Sequence, residues 1–381
     1  MFAYNIGGVY SPVRDLRIRA GYAKAVRAPT LLDLFNTGSQ TFAGITDPCD
    51  QRFINQNPNR TANCAAAGVP TTEVNPATGE TIPFTNIAPS TILGQNQGNP
   101  DLREETSKSF TVGFVFQPSF LPGFTLSMDY YDITVDNVIF SLGGQDVVNQ
   151  CYDDPGGINN QFCAAVFRRT GGQYPGTFAG QSNKSIGGTA YQIPDAVSPA
   201  FLSQPFNYAK LETSGIDLDV AYRTQIAGSV DLNLRGIVAW LAERNSYSRV
   251  SDPNFADRIK SELGDPEWAA SFSANADFGA IDVGYDLRWI GRQTIGEYET
   301  QNSFQGRPPL NADAFPRIYY PDVFYHDIRV AFETEDQFRF YLGVDNFTDR
   351  LPPFGLQGTG DGSAIFDNLG RTFYAGAEFR F

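Results

Sequence analysis

A strict alternation of apolar and polar residues recurs along most of this chain and constrains its fold more than any other feature. Residues 230–235 place Val or Leu at every second position, with Asp, Asn or Arg between them. The same period of two recurs at 16–22, 110–116, 281–289 and 338–345. Because successive side chains of a β-strand point to opposite faces, each stretch predicts a strand with one apolar and one polar face.

Eleven strands of this kind are predicted, and no stretch indicates a long helix. They cover residues 2–10, 16–26, 106–117, 123–139, 208–223, 229–243, 267–278, 281–293, 322–333, 338–347 and 371–381. In the fourth strand the apolar phase slips at Tyr130 and Tyr131, where two rings are adjacent. A bulge, or exit of the strand from an apolar layer, would explain this slip.

The connections between these strands alternate between short and long. The short ones centre on residues 11–12, 118–123, 224–228, 278–281 and 334–337. The long ones cover approximately 27–105, 140–207, 244–266, 294–321 and 348–370. Outer-membrane barrels have this asymmetry, with tight periplasmic turns and long outside loops. The pattern therefore predicts an all-β, transmembrane antiparallel β-barrel whose first and last strands run toward the periplasm.

The composition agrees with a membrane barrel and argues against two other classes. Aromatic residues make up 14% of the chain and charged residues only 18%, against roughly 25% in ordinary soluble domains. The mean hydropathy of -0.27, with no apolar run of about 18 residues, excludes a transmembrane helix. The same value does not exclude a membrane barrel, because the alternating hydropathy of barrel strands averages out over a sequence window. A net charge of -14 without a basic stripe argues against nucleic acid as a partner.

Four cysteines fall as two local pairs inside polar loop sequences. Cys49 lies 15 residues before Cys64, and Cys151 lies 12 residues before Cys163. These spacings predict two disulfides in an oxidising compartment. The alternative is a metal site, but the close Cys-x-x-Cys pairs that zinc usually takes are absent from the sequence. Both pairs fall in the predicted outside loops, where an oxidising exterior would allow disulfides.

An odd number of strands with a free first edge predicts a partial barrel. Unpaired backbone groups in hydrocarbon cost several kcal/mol each, so such a wall cannot stand alone in lipid. The chain also starts in strand-like alternation, without a signal peptide. We therefore expect residues 1–381 to be the C-terminal part of a barrel whose N-terminal part is absent.

Five motifs resemble those of TonB-dependent receptors, in the right order. Residues 27–35, Arg-Ala-Pro-Thr-Leu-Leu-Asp-Leu-Phe, look like the family's mid-barrel motif. Residues 98–105, Gly-Asn-Pro-Asp-Leu-Arg-Glu-Glu, resemble its re-entry into the next strand, and 211–217 and 344–349 are similar to two further strand signatures. Residues 370–381 are like its closing strand.

The resemblance implies a 22-stranded receptor, of which this chain would supply strands 12 to 22. It also implies an N-terminal plug domain and a short segment that contacts TonB, and neither is in this chain. Phe373, Phe379 and Phe381 of the closing strand resemble the signal read by the barrel-assembly machinery. The implied location is the outer membrane of a Gram-negative bacterium, with outer-membrane lipid as a further partner.

The predicted inner face carries charges of both signs, and the strand ends carry aromatic rings. The inner charges suit a wetted wall around a movable plug, although any polar lumen needs polar residues. Tyr4, Tyr10, Tyr22, Trp240, Trp268 and Trp289 are expected in the interfacial girdles, with carbohydrate stacking as the alternative.

For ligand contact the outside loops are the predicted surface, since long loops usually carry function. The second disulfide would stiffen part of this surface and reduce the ordering cost of binding. The alternative for each loop charge is simple solvation. The candidate residues flank the second cysteine pair or lie in the loops beyond it: Asp153, Asp154, Arg168, Arg169, Tyr174 and Tyr298.

Neither a metal nor a cofactor is expected, and an enzymatic role is disfavoured. The Gly-rich acidic runs 153–160 and 361–368 lack the spacing of an EF-hand loop. The only histidine, His326, alternates with Phe324 and Ile328 on an apolar strand face, which does not suit a catalytic base. Familiar catalytic motifs are also absent from the sequence.

The leading hypothesis is a receptor for TonB-energised uptake of a scarce nutrient, namely an iron chelate, cobalamin or an oligosaccharide. A passive porin would show the same alternation without the motifs or the long loops. A soluble all-β glycan-binding protein such as a propeller would show a blade repeat, and none is found. The acidic loops disfavour a strongly anionic ferric siderophore, by repulsion at the mouth.

Overall fold

Eleven antiparallel strands, each hydrogen-bonded to the next, form the main sheet of this computed structural model. The structure describes residues 2–194, 198–226, 228–334, 338–354 and 365–379. Within them the wall strands are β1 Tyr4–Val13, β2 Leu16–Arg27, β3 Glu105–Phe116, β4 Phe124–Ser141, β5 Pro205–Ile226, β6 Val230–Tyr247, β7 Trp268–Asp277, β8 Ile281–Ile290, β9 Val323–Glu333, β10 Phe338–Asp345 and β11 Thr372–Phe379. A two-residue strand, Asp257–Arg258, also pairs with the end of β6.

The strands predicted from alternation are confirmed, one predicted turn is corrected, and one of the two explanations for the slip at Tyr130 and Tyr131 is excluded. The predicted turn at residues 11–12 lies inside β1, which continues to Val13 because the chain reverses at Arg14 and Asp15. No bulge lies at Tyr130 and Tyr131, where β3 and β4 pair in continuous register. The register shifts instead between β4 and β5, nearer the C-terminal end of β4.

Register across the wall separates an apolar face from a polar one. One row of cross-strand partners is apolar from Phe116 through Leu126, Val220, Gly236 and Phe272 to Leu287, whose next partner is His326. The neighbouring row holds Thr125, Ala221, Arg235, Ser273 and Asp286. A sheet that is apolar on one side and polar on the other fits a wall between acyl chains and a wet lumen.

Aromatic rings gather on the apolar face where several strands approach their outer ends. The rings of Trp240 and Trp268 lie 5.9 Å apart across β6 and β7. Trp289 stacks on Phe324 with a centroid separation of 6.2 Å. Rings at this height are typical of the interfacial girdle, where an amphipathic ring contacts both lipid and water.

On the inner face of the last two strands, two tyrosines lie over two glycines. Tyr341 is the register partner of Gly376, and Tyr374 is the partner of Gly343. A Cβ at either glycine would lie 2.3 Å from the opposing ring. The glycines are therefore required for these rings to lie flat across the neighbouring strand.

Two phenylalanines of the closing strand lie on the outer face, while their role as an assembly signal stays a prediction. Phe373 and Phe379 share the apolar face of β11 and are exposed by 72% and 53%. Phe381 lies outside the described residues. His326 also points outward, and its Nδ1 lies 2.8 Å from the Tyr285 hydroxyl, so the pair satisfies its hydrogen bond within the apolar face.

The sheet is open within the described residues. Strand β1 pairs only with β2, and β11 pairs only with β10. The backbone groups along both edges therefore have no strand partner in the described part of the chain. In lipid such an edge is costly and must be covered by further strands.

Most of the buried core lies in the connections, and a smaller part lies at strand positions such as Ile290, Val323 and Tyr325. The helices α1 Leu31–Phe35, α2 Arg60–Ala66 and α3 Gly144–Asp153 lie in the two longest connections, and α4 Tyr298–Gln301 lies in a later one. Short strands accompany them, at Ser39–Ala43, Thr72–Val74, Thr81–Pro83, Ile92–Asn96, Asn183–Ile186, Thr189–Gln192, Leu202–Ser203, Gln293–Thr294 and Tyr319–Tyr320. Among the described residues, none of the helices has both the length and the apolar character to span a membrane.

The two faces of β7 offer a matched test of the wall. We expect Ala274→Arg, on the apolar face, to cost about 2–4 kcal/mol, because charge near the middle of the lipid-facing band is destabilising. Its neighbour Ser273 lies on the polar face between Arg235 and Asp286, so Ser273→Arg should be tolerated. The stability of each variant would be measured in two ways: as the fraction of protein that stays folded in unheated gel samples, and as the urea midpoint in lipid vesicles. Equal loss in both variants would contradict the two-faced wall.

Candidate functional site

The two longest connections fold together into one unit, which we call the cap: residues 28–104 and 142–204. Strand Ile92–Asn96 pairs with Ser39–Ala43 from the first connection and with Leu202–Ser203 from the second. A single apolar cluster then joins both parts, and its members include Ile45, Ile54, Val69, Phe84, Ile92, Val147, Val148, Tyr152, Phe162, Phe178 and Phe201. The cap is therefore a folded unit with its own core, rather than a set of solvated loops.

Both predicted disulfides are present and lie in this core. Cys49 is bonded to Cys64, with Cα atoms 5.5 Å apart, and Cys151 is bonded to Cys163, with Cα atoms 4.6 Å apart. The second bond ties α3 to the turn at Cys163–Ala165. Each bond closes a local loop, which limits the freedom of the unfolded cap.

Arg168, predicted to contact ligand, lies at the centre of the cap. Its guanidinium donates hydrogen bonds to Asp47 at 2.6 and 2.8 Å and lies over the rings of Tyr152 and Phe178. Burial alone would lower the pKa of Arg168, but the adjacent Asp47 carboxylate outweighs it and raises the pKa. The cation is therefore permanently charged and engaged within the cap.

The other predicted contact residues do not converge on one site. Asp153 accepts hydrogen bonds from Arg60 at 2.5 and 3.0 Å. Asp154 accepts a bond from the backbone of Gly156, and Arg169 donates to the carbonyl of Ala179. Ligand contact by these residues stays a prediction; in the structure Asp153 joins the two connections of the cap through Arg60, while the bonds of Asp154 and Arg169 are local.

The two predicted tyrosines lie in different parts of the structure. Tyr174 is 7% exposed and packs in a small cluster with Ile186 and Ile193, and burial raises its pKa. Tyr298 begins α4, where its ring lies under the guanidinium of Arg258 at 3.9 Å. The two rings therefore do not share one binding surface.

A cleft of about 450 Å³ opens where α3, the ends of β4–β6 and the chain after β6 meet. It is lined by Phe140, Ser141, Leu142, Asp146, Asn149, Gln150, Asp153, Tyr208, Ser246, Ser248, Arg249 and Ser251. Gln150 bridges the cleft floor by donating to the carbonyl of Ser248 and accepting from the backbone of Val250. This volume lies within the range of ordinary ligand sites.

Sequence reasoning named Asp153 but missed the other lining residues of this cleft. Phe140 and Tyr208 lie 68 positions apart in the chain, and their rings meet edge to face with centroids 6.4 Å apart. The only local signal was a phenylalanine near the end of a strand, three positions before the first of two glycines, and many strand ends share that feature. The convergence follows from the pairing of β4 with β5 and from how α3 packs, which alternation does not encode.

Two later connections, residues 248–267 and 291–322, are joined to each other and form what we call the outer loop pair. Glu262 accepts a hydrogen bond from the backbone of Tyr298 at 2.9 Å, and Glu299 accepts one from the backbone of Arg258 at 2.7 Å. Burial raises the pKa of Glu262 to about 7, and the nearby carboxylates of Glu299, Glu297 and Asp265 contribute. The bond to the Tyr298 N–H opposes this rise without cancelling it.

The inner wall below these loops carries the mixed charges expected from the sequence. Arg19 is paired with Asp129, and Arg235 is paired with Asp219 at 2.8 Å. Other inner groups face like charges, since Asp286 is the register partner of Asp327. Among the described residues no three His, Cys, Asp or Glu side chains are grouped as metal ligands. The acidic run 361–368 lies only partly within the described residues.

The family model that matches this chain is described as TonB dependent receptor-like, beta-barrel, and it covers residues 1–347. None of the curated proteins matches the chain.

Three solved structures with a similar fold are longer than this chain. A siderophore receptor, PirA, from Acinetobacter baumannii is 14% identical with a TM-score of 0.56, and the match covers 100% of this chain and 41% of that one. A ferric enterobactin receptor from Pseudomonas aeruginosa is 15% identical with a TM-score of 0.56, and the match covers 100% of this chain and 40% of that one. An iron transporter, FrpB, from Neisseria meningitidis is 12% identical with a TM-score of 0.51, and the match covers 99% of this chain and 39% of that one. At these identities the likeness shows the fold.

The Arg168–Asp47 pair should dominate the stability of the cap. We expect Arg168→Met to cost about 3–5 kcal/mol, since it leaves the Asp47 carboxylate buried without its partner. The double variant Arg168→Met/Asp47→Asn should recover part of that loss. Thermolysin digestion of the cap would measure this, with the exposed Arg103→Met as the control. A double variant no more resistant than the single one would contradict the pairing.

The outer loop pair should respond to pH through Glu262. Its folded pKa of about 7 exceeds the ordinary value of 4.5, so its stabilising effect is full below about pH 4.5 and is lost as the pH rises through 7. Glu262→Gln should therefore slow hydrogen exchange of residues 293–301 at pH 8 by up to about tenfold, with no difference at pH 4.5. The matched control is Glu267→Gln, at a carboxylate that pairs with Lys260. An effect of equal size at both pH values would contradict this assignment.

Proposed function

Because this chain belongs to the TonB-dependent receptor-like β-barrel family, we propose that it forms the wall and the ligand-selecting cap of a receptor that takes up a scarce nutrient with energy supplied through TonB. The family consists of receptors and transporters rather than enzymes. Its members are proteins of the Gram-negative outer membrane, and the chain belongs in that membrane. The ligand bound at the site would therefore be transported cargo, which is held briefly and then passed inward.

The open edges of the sheet support a larger barrel around this wall. The chain spans about 40% of the length of the solved receptors it resembles. Residues 1–381 would then be the C-terminal part of the barrel, corresponding to strands 12 to 22. The plug domain and the segment that contacts TonB would come from the N-terminal region of the same protein.

The cap is the observation that most favours a receptor over a passive porin. Two connections of the wall share one apolar core, two disulfides and a buried ion pair. A diffusion pore needs no such preorganised unit at its mouth. A preorganised surface lowers the ordering cost of binding, which suits a receptor that must capture a dilute ligand.

The faces of the wall suggest the remaining partners. Mixed charges on the inner face would hold a plug by many weak, exchangeable contacts, since exposed ion pairs are individually worth about 0–1 kcal/mol. The outward rings of Phe373 and Phe379, together with Phe381, would present the closing strand to the barrel-assembly machinery. Outer-membrane lipid would contact the apolar face.

Uptake by cells that carry the receptor tests this proposal. We expect saturable accumulation of ligand that is lost when TonB is deleted or when the proton gradient is collapsed. Replacing Cys151 and Cys163 together with serine should raise the ligand concentration needed for half-maximal uptake, with the amount of assembled barrel unchanged. Uptake that rises linearly with concentration and persists without TonB would instead identify a passive channel.

A further inference from the structure

The cleft between the cap and β6 contains polar groups that the protein itself does not use. Within the described residues, no hydrogen bond or ion pair is made by the carboxylate of Asp146 or by the hydroxyl groups of Tyr208, Ser246 and Ser251. The Asn149 Oδ1 accepts a bond from Gln145, which leaves its amide N–H groups free. A cluster of unpaired donors and acceptors is suited to a ligand rich in hydroxyl groups, because each hydroxyl both donates and accepts.

The charge of the cleft distinguishes between ligand classes. The one cation among the described residues that line it, Arg249, already pairs with Asp257 at 2.5 Å and lies over the ring of Phe255. The Asp153 carboxylate is paired with Arg60, whereas Asp146 is unpaired. Among its described lining residues, the cleft therefore offers a net negative field and no free cation. Such a site repels an anionic iron chelate and accepts a neutral ligand.

An aromatic ring is available at the edge of the cleft. Phe140 is 46% exposed, although it lies at the end of a strand beside the apolar core of the cap. Tyr208, its edge-to-face partner, is itself held against Phe162 at a centroid separation of 5.4 Å. This contact fixes the orientation of the two rings. A fixed, half-exposed ring can stack on the apolar face of a sugar without losing much side-chain freedom.

From these three observations we propose that the cleft binds a neutral oligosaccharide, with Phe140 as the stacking platform and with Asp146, Asn149 and Tyr208 as hydroxyl partners. The proposal rests on the proposed uptake function, since it names the ligand class of that receptor. It concerns the outer capture site only, and capture does not need TonB.

Equilibrium binding to the purified full-length receptor in detergent micelles tests the proposal. The probes are maltohexaose, cellohexaose, xylohexaose and N-acetylchitohexaose, with ferric enterobactin as the anionic comparison. We expect at least one glycan to bind, while ferric enterobactin binds weakly or not at all. Phe140→Ala should weaken glycan binding about tenfold or more, as loss of an aromatic anchor commonly does. Asp146→Asn should weaken it less, because the amide keeps an acceptor.

The control is Phe42→Ala, which removes a ring of the cap that is 60% exposed and lies outside the cleft. This substitution should leave glycan affinity unchanged. All three variants should keep the protease resistance of the unmodified protein. Three outcomes would overturn the proposal: no glycan binds, ferric enterobactin binds more tightly than every glycan, or Phe140→Ala binds glycan as well as the unmodified protein does. Glycan binding without TonB-dependent accumulation would instead overturn only the uptake function.

Discussion

The structure depends on one constraint: a backbone in hydrocarbon must satisfy every N–H and C=O within the protein. Neighbouring strands do this along the whole wall, where register runs with few shifts from β1 to β11. Because the backbone is satisfied by pairing, side chains on the outer face need only be apolar. Those on the inner face are free to be polar, so a wall without a buried core is stable in lipid but would not be in water.

Stability in the cap has a different source. There the connections lie in water and must bury apolar surface to order themselves, which they do by sharing one core and two disulfides. The buried Arg168–Asp47 pair sits inside that core, with Asn86 and the backbone of Cys49 also donating to Asp47. Because the Asp47 carboxylate is fully hydrogen-bonded, the core of the cap favours one packing. An alternative packing would leave a buried charge unpaired.

The wall could be predicted from the sequence because its rule is local. A period of two requires no knowledge of partners, so the strands, the alternation of short and long connections and both cysteine pairs were all recovered. The predicted turn at residues 11–12 failed because Pro12 is tolerated within β1, where the pairing with β2 shifts register between Tyr10 and Val13. The cap was missed because its apolar residues, such as Ile45 and Phe178, have no period and meet only through long-range packing.

The separation of wall and cap bears on how such a receptor would choose its ligand. Substitutions at Phe140 or Asp146 touch neither the strand pairing nor the buried Arg168 cluster, since both side chains face the cleft. The cleft can therefore change its chemistry while the wall keeps its register and the cap keeps its core. Arg168 and Asp153, which looked like ligand contacts from their position beside the disulfide, lack this freedom because each is paired inside the cap. A charged loop residue is thus a useful guide to specificity only when the fold leaves it unpaired.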